Sequence, residues 1–365
     1  MIPKCILLQV VNSREPQEQV ERNMMELEQL VATFGGTVVD RVIQHKVHPD
    51  PSTYIGAGKL DWLVEQVKEL KIDIVVLNAV VNSGQLFRLE KELWKVNTQI
   101  KVWDRVDLIL NIFDKHASTR EAKLQIELAR IQHTGPRIYG LGKTELSRQG
   151  GGIGTRGLGE TNIERERRTM KKLQQKIKKE LKEHSRDQLQ RIKQRQQKGI
   201  KTIALVGYTS AGKTTLFNAL TKKIKETQSG LFTTLDSVVG KLKVTEYDPG
   251  ILISDTIGFI DELPPVLVTA FKSTLLESLQ ARLLLHVVDA SDADSIEKIT
   301  VVEDILSDLG VTDLPILIFN KIDVAEATQL ENIEQRFFDR EHYEISAKTN
   351  VGVPELKKIL TDKIN

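Results

Sequence analysis

Cysteine, long apolar runs and an excess of either charge are all scarce in this chain. Cys5 is the single cysteine, so no internal disulfide can form, and no Cys/His spacing suits zinc. A reducing, cytoplasmic setting is expected. Apolar stretches are short: even Leu283 to Val288 is broken by His286, far from the ~20 residues that cross a bilayer. No stable membrane insertion is expected. The apolar start Cys5-Ile6-Leu7-Leu8 is cut off by Gln9 and by Asn12-Ser13-Arg14-Glu15 with no small-residue cleavage site, so it reads as a buried strand rather than a signal segment. The 52 Lys and Arg nearly balance 50 Asp and Glu, leaving a formal charge of +2. Total charge alone therefore argues for no polyanion partner, and its distribution decides.

What is present suffices for buried cores. Aromatics are only 5%, but apolar residues make up 40% of 365, and at ~150 residues per domain that length predicts two to three domains. Up to about residue 115, β-branched runs at Ile6–Val11, Thr37–Ile43, Ile74–Leu77 and Ile100–Trp103 alternate with helix-spaced residues such as Val20, Met24, Leu27, Leu30 and Leu60, Leu63, Val67, Leu70. That alternation predicts an N-terminal α/β domain over 1–115 with a parallel or mixed sheet. Gly56-Ala57-Gly58-Lys59-Leu60 lies between a strand and a helix. It lacks the Walker spacing, and Leu60 replaces the metal-binding hydroxyl, so it reads as a structural turn, with a phosphate contact as the alternative.

A second region, 116–199, reads as a basic helical hairpin. Thr119–His133 carries Leu124, Leu128 and Ile131 on one face and stops at Gly135-Pro136. Residues 140–160 are too glycine-rich to pack as helix or strand. Beyond them, 161–201 is a polar helical run with Leu173, Ile177, Leu181, Leu189 and Ile192 on its periodic face. It holds fifteen Lys/Arg against five Asp/Glu. Pairing at i, i+4 absorbs part of that charge; the remaining excess points to nucleic acid, RNA in preference to DNA.

The third region, 200–365, announces its chemistry. Ile203–Val206 runs into Gly207-Tyr208-Thr209-Ser210-Ala211-Gly212-Lys213-Thr214-Thr215, with a helix behind. This is the P-loop pattern, in which backbone amides face phosphate oxygens, Lys213 reaches the β and γ phosphates and the Thr214 hydroxyl takes a Mg2+ position. Ile251–Ser254 leads to Asp255-Thr256-Ile257-Gly258, where Asp255 suits water-mediated Mg2+ binding and the Gly258 amide suits sensing of a γ phosphate. Ile316–Phe319 delivers Asn320-Lys321-Ile322-Asp323. The Asp323 carboxylate can accept from both N1–H and the exocyclic amine of guanine, donors that adenine cannot present together. GTP and GDP are the expected ligands, on a doubly wound, mostly parallel sheet.

The order of these motifs resembles the translation-factor-related GTPases. That resemblance implies that Ser346-Ala347-Lys348 contacts the guanine oxygen and that Phe232-Thr233-Thr234 belongs to the first switch, with Thr234 as a Mg2+ ligand. Lys213, Thr234 and Gly258 are then the expected catalytic group. In relatives with a catalytic glutamine, that residue follows the switch glycine; here the position is Phe259, so slow unaided hydrolysis is expected.

Nearly the whole chain resembles the HflX family of GTPases, through Gly56–Leu60, Lys123-Leu124-Gln125-Ile126-Glu127-Leu128-Ala129, the glycine-rich block Ser147–Thr161 and Asp255–Ile260. The resemblance implies a ribosome-associated GTPase, mostly monomeric when free, that binds the large subunit and splits stalled or idle ribosomes. Its arm and glycine-rich tip would reach ribosomal RNA. Ser210 stands where the family usually has asparagine, Thr214 where serine is commoner, and Ser237-Val238-Val239-Gly240 where Pro-Thr-Thr-Arg is usual. No extra C-terminal domain is expected after the amphipathic helix Val353–Ile364. An RNA-binding switch that separates no ribosome is the competing expectation, with an N-terminal ATPase a weaker one.

Overall fold

Four β-rich runs near the N-terminus pair side by side in the computed structural model: β1 (Lys4–Val11), β2 (Thr37–His45), β3 (Ile74–Leu77) and β4 (Lys101–Trp103). The order is β2-β1-β3-β4 and every pairing is parallel. Parallel strands need crossovers, supplied by α1 (Gln17–Phe34), α2 (Ala57–Leu70) and α3 (Ser83–Leu93), with α4 (Arg105–His116) after β4. Both faces of the sheet are covered, which is why its central strands are almost continuously apolar. Ile6, Leu8, Val75 and Leu77 pack with Leu63 and Val67 of α2 and Leu86, Leu89 and Leu93 of α3. Met24, Leu27 and Leu30 of α1 are fully buried, as their helical spacing predicts.

The described residues are 2–133, 156–221, 238–242, 250–256, 258–259, 267 and 280–364, with only the backbone for 156–163 and 166. Of the glycine-rich stretch expected to avoid helix and strand at 140–160, residues 140–155 lie outside them, as do the Phe232, Thr233 and Thr234 positions and Ile257, whereas 156–160 are helical, against that expectation, because they continue into the long helical run that follows. The chain forms two units, Met1–Lys115 with Lys123–Glu180, and His116–Ala122 with Leu181–Asn365. A helix at 120–133, α5, is present, and its inward face includes Leu128 of the expected stripe but shifts away from Leu124 and Ile131. Ala122, Gln125, Ile126, Leu128 and Ala129 are buried, whereas Leu124 and Ile131 are only partly so.

α4 begins with a reciprocal cap. Asp104 Oδ1 accepts from Asp107 N at 2.9 Å, and Asp107 Oδ2 accepts from Asp104 N at 3.4 Å. Nε2 of His133, at the end of α5, lies 3.0 Å from Asp104. Asp104 Oδ2 also accepts from Val81 N at 3.2 Å, so this acidic cluster is explained as a helix start.

α6 (Arg156–Gln197) is 42 residues long, and the division between the units falls within it, after Glu180. Ile177, Leu181 and Ile192 are buried while Leu173 is exposed. Lys171, Lys172, Lys176, Lys178, Lys179, Lys182, Arg186, Arg191 and Lys193 are all exposed.

The second sheet has the order β10-β9-β8-β5-β7-β6. Its elements are β5 (Thr202–Val206), α7 (Lys213–Leu220), β6 (Val238–Lys241), β7 (Leu252–Asp255), β8 (Leu283–Asp289), α8 (Ser295–Asp308), β9 (Ile316–Asn320), α9 (Ala327–Arg336), β10 (His342–Glu344) and α10 (Val353–Ile364). All pairings are parallel except β6 with β7. One face buries Leu205, Ile253, Leu285 and Ile318 against Phe217 of α7 and Leu356 and Leu360 of α10. The other buries Val288, Leu317 and Phe319 against Ile299 of α8 and Ile333 of α9. The carboxyl ends of β5, β7, β8 and β9 therefore open on one edge, where doubly wound sheets bind ligands.

Candidate nucleotide site

The loop after β5 turns sharply into α7, and its backbone determines which residues fit. Gly212 has φ +93°, and a Cβ there would stand 2.2 Å from Asn320 Nδ2, so both conformation and space demand glycine. Ser210 also lies in the left-handed region, at φ 62°. Lys213 begins α7 and is buried, with Nζ donating to Gly207 O at 3.0 Å and Tyr208 O at 2.7 Å. Backbone amides at a helix start together with a buried ammonium make an anion site.

β7 ends in Asp255, itself fully buried, whose Oδ2 lies 3.0 Å from Thr214 Oγ1. A hydroxyl and a carboxylate are hard oxygen donors, the set that suits Mg2+. The Thr256 hydroxyl donates to Leu205 O at 2.7 Å and so ties β7 to β5. Phe259 N donates to Gly207 O at 3.1 Å, and Thr209 N to Phe259 O at 2.7 Å. The Phe259 side chain is buried, which removes it from any water-orienting role. This main-chain pairing has no side-chain signature in the sequence.

At the carboxyl end of β9, Asn320 Nδ2 donates to Ala211 O at 2.8 Å and Oδ1 accepts from Ala347 N at 2.9 Å. The Ser346 hydroxyl donates to Asp323 Oδ1 at 2.6 Å and accepts from Thr349 N at 3.1 Å. Lys321 pairs with Asp289 at the end of β8. Of the residues expected here, Asn320 is thus linked to Ala347 and Asp323 to Ser346, from the β9 end and the loop after β10, and Lys348 follows Ala347 in that loop. Asp289 is the member of this group that motif spacing left without a role; its place at a strand's carboxyl end was the available signal.

His286 on β8 is buried beneath the loop. Desolvation first, then the Lys213 and Arg340 cations, push its pKa down to about 3, so it is neutral. With Tyr208, Thr209, Ala211 and Lys298 it lines a small cavity.

Three family models match the chain in sequence: GTP-binding GTPase N-terminal over residues 21–114, GTP-binding GTPase Middle Region over 116–195, and 50S ribosome-binding GTPase over 202–321. GTPase HflX of Caldanaerobacter subterraneus subsp. tengcongensis is 42% identical over 97% of this chain and 78% of its own. GTPase HflX of Escherichia coli strain K12 is 36% identical over 96% and 80%. The crystal structure of SsGBP in complex with GDP superposes with TM-score 0.53 and 25% identity, covering 99% of this chain and 98% of that one. Among the described residues, no helix is long and apolar enough to cross a membrane.

Proposed function

The chain belongs to the HflX family of GTPases, and from that premise we propose that it binds the large ribosomal subunit in its GTP state and splits idle or stalled ribosomes into subunits. The observation that carries the partner is the exposed row of Lys and Arg along α6, next in sequence to a domain matching 50S ribosome-binding GTPases. A cationic helix neutralises RNA phosphates and gains affinity by releasing their counterions. Splitting itself rests on the family resemblance.

In this reading the amides of Gly207 to Thr215 and the Lys213 ammonium hold the β and γ phosphates. Thr214 and Asp255 hold Mg2+, with Thr234 joining from the first switch. When bound, the ion neutralises charge on the phosphate oxygens. The Gly258 amide senses the γ phosphate, Asp323 selects guanine, and Ser346, Ala347 and Lys348 close over the base. Loss of the γ phosphate releases the switch and weakens the grip on the ribosome. The protein works as a monomer in a cytoplasmic setting and is organised as a nucleotide-binding domain, a basic arm and an N-terminal α/β domain.

The test is the GTP hydrolysis rate of the purified protein, alone and with purified large subunits, with ATP as control, followed by gradient profiles of intact ribosomes. GTP-specific stimulation and a rise in free subunits are expected. A rate indifferent to ribosomes, or tight binding with unchanged profiles, would favour an RNA-binding switch instead.

A further inference from the structure

We propose that the hydroxyl of Thr209 orients the water that attacks the γ phosphate of GTP. The position after the switch glycine holds Phe259, whose ring is buried and whose hydrogen bonds to the loop are made by its main chain. A polar group for the water must come from elsewhere. Of the neighbouring hydroxyls, Thr256 donates to Leu205 O at 2.7 Å and Thr214 faces Asp255 at 3.0 Å, while Ser254 Oγ is buried without a partner but lies within β7. Thr209 differs. The residue is 6% exposed, and its Oγ1 is enclosed with no hydrogen-bond partner. Buried polar atoms are nearly always satisfied, so such an orphan calls for an explanation.

Its place supplies one. A Cβ built on Gly258 would stand 2.8 Å from Thr209 Cγ2, 3.0 Å from Thr209 Cα and 3.0 Å from Lys213 Nζ. Thr209 therefore borders the two groups expected to touch the γ phosphate, the Lys213 ammonium and the Gly258 amide. Its backbone is pinned there by the 2.7 Å bond from Thr209 N to Phe259 O. The Thr209 atoms nearest Gly258 are its Cγ2 methyl and Cα, and the hydroxyl, carried on the same Cβ as that methyl, can accept a hydrogen bond from the water while donating its own proton to a γ-phosphate oxygen. The water oxygen then forms the new bond to phosphorus and the bridging bond to the β phosphate breaks, its electron pair leaving on GDP. The water proton ends on the released phosphate, and Thr209 neither gains nor loses one. His286 Nδ1 is likewise buried and without a partner, and it lines the same small cavity as Thr209, but it belongs to β8 and not to the loop that carries Thr209 and Lys213.

This inference rests on GTP hydrolysis and not on the ribosomal partner. The experiment compares single-turnover hydrolysis and nucleotide affinity in wild type, Thr209→Val and Thr209→Ser. Valine keeps the shape and deletes the hydroxyl; serine keeps the hydroxyl. The expected result is a roughly 100-fold slower step in Thr209→Val, the lower end of the range for losing one positioned hydrogen bond. The GTP and GDP Kd should stay within about threefold, and Thr209→Ser should restore most of the rate. An undiminished rate in Thr209→Val overturns the proposal. So does equal slowing in both variants, which would make shape the cause, or a loss of affinity that accounts for the slower rate. A wild-type protein without GTP turnover would overturn the activity itself, which sets that failure apart from failure of the Thr209 assignment.

Discussion

The Asn320 carboxamide joins the loop after β5 to the loop after β10, donating to Ala211 O at 2.8 Å and accepting from Ala347 N at 2.9 Å. Only a side chain with a donor and an acceptor on one plane makes both bonds. The residue is buried, so removing its amide leaves a buried carbonyl and a buried N–H unpaired. Asn320→Ala is expected to lose on the order of 2 kcal/mol of loop organisation, which corresponds to a roughly 30-fold weaker GDP Kd. Titration with a fluorescent GDP analogue measures it, and an unchanged Kd would show that the two loops hold without this link.

Specificity for guanine makes a separate prediction at Asp323. Ser346 fixes this carboxylate through a 2.6 Å bond, which leaves its acceptor character aimed by the loop. In Asp323→Asn an amide N–H meets the exocyclic amine of guanine, donor against donor, whereas xanthine has a carbonyl there. GTP affinity should fall by at least about 100-fold, the range for a mismatched polar pair, and xanthosine triphosphate should bind better than GTP. Equal losses for both nucleotides would place base recognition elsewhere.

How much of this was legible in the sequence depends on whether a feature resides in side chains. The buried parallel strands announce themselves, because β1, β3, β5, β8 and β9 are covered on both sides and need continuous apolar runs. The phosphate loop is legible because close approach demands glycine at a fixed spacing. The strand Val238–Lys241 is not: it is four residues at a sheet edge, defined by antiparallel pairing of Val238 with Asp255 and Lys241 with Leu252. The pairing of Phe259 with Gly207 and Thr209 is invisible because only main-chain atoms take part. In α5, fully buried Gln125 runs against any apolar template, so the stripe through Leu124 and Ile131 misplaces the inward face.

Acid sensitivity follows from His286. Burial and the Lys213 and Arg340 cations hold its pKa at about 3 in the folded chain, against 6.5 for an unperturbed imidazole. The unfolded chain therefore binds the additional proton below pH 6.5, and stability falls with pH from there until the folded group also titrates. At about 1.4 kcal/mol per pH unit, this residue costs roughly 2 kcal/mol between pH 6.5 and 5. Urea unfolding at pH 7.5 and 5.0 in wild type and His286→Leu checks this. The variant's own stability at pH 7.5 is not the readout; the wild type should lose about 2 kcal/mol more than the variant on acidification, and equal losses would assign the effect to other groups.

The arm makes the last prediction, one in which the partner and the nucleotide can be separated. Lys171, Lys172, Lys178 and Lys179 are exposed on α6, in a segment with no part in the nucleotide loops. If α6 lies on RNA, each lysine that neutralises a phosphate contributes about 0.7–0.9 to the slope of log affinity against log salt. Replacing all four with glutamine preserves helix propensity, so circular dichroism and GDP affinity should be unchanged. Affinity for large ribosomal subunits should fall, most at low salt, and the slope should become shallower by roughly 3, about 0.7–0.9 for each of the four charges. The shape of the salt dependence carries the argument, because a structural defect in the arm lowers affinity at every salt concentration alike, whereas lost counterion release changes the slope. An unaltered slope would mean that these charges face solvent in the complex and that the subunit is gripped by other residues.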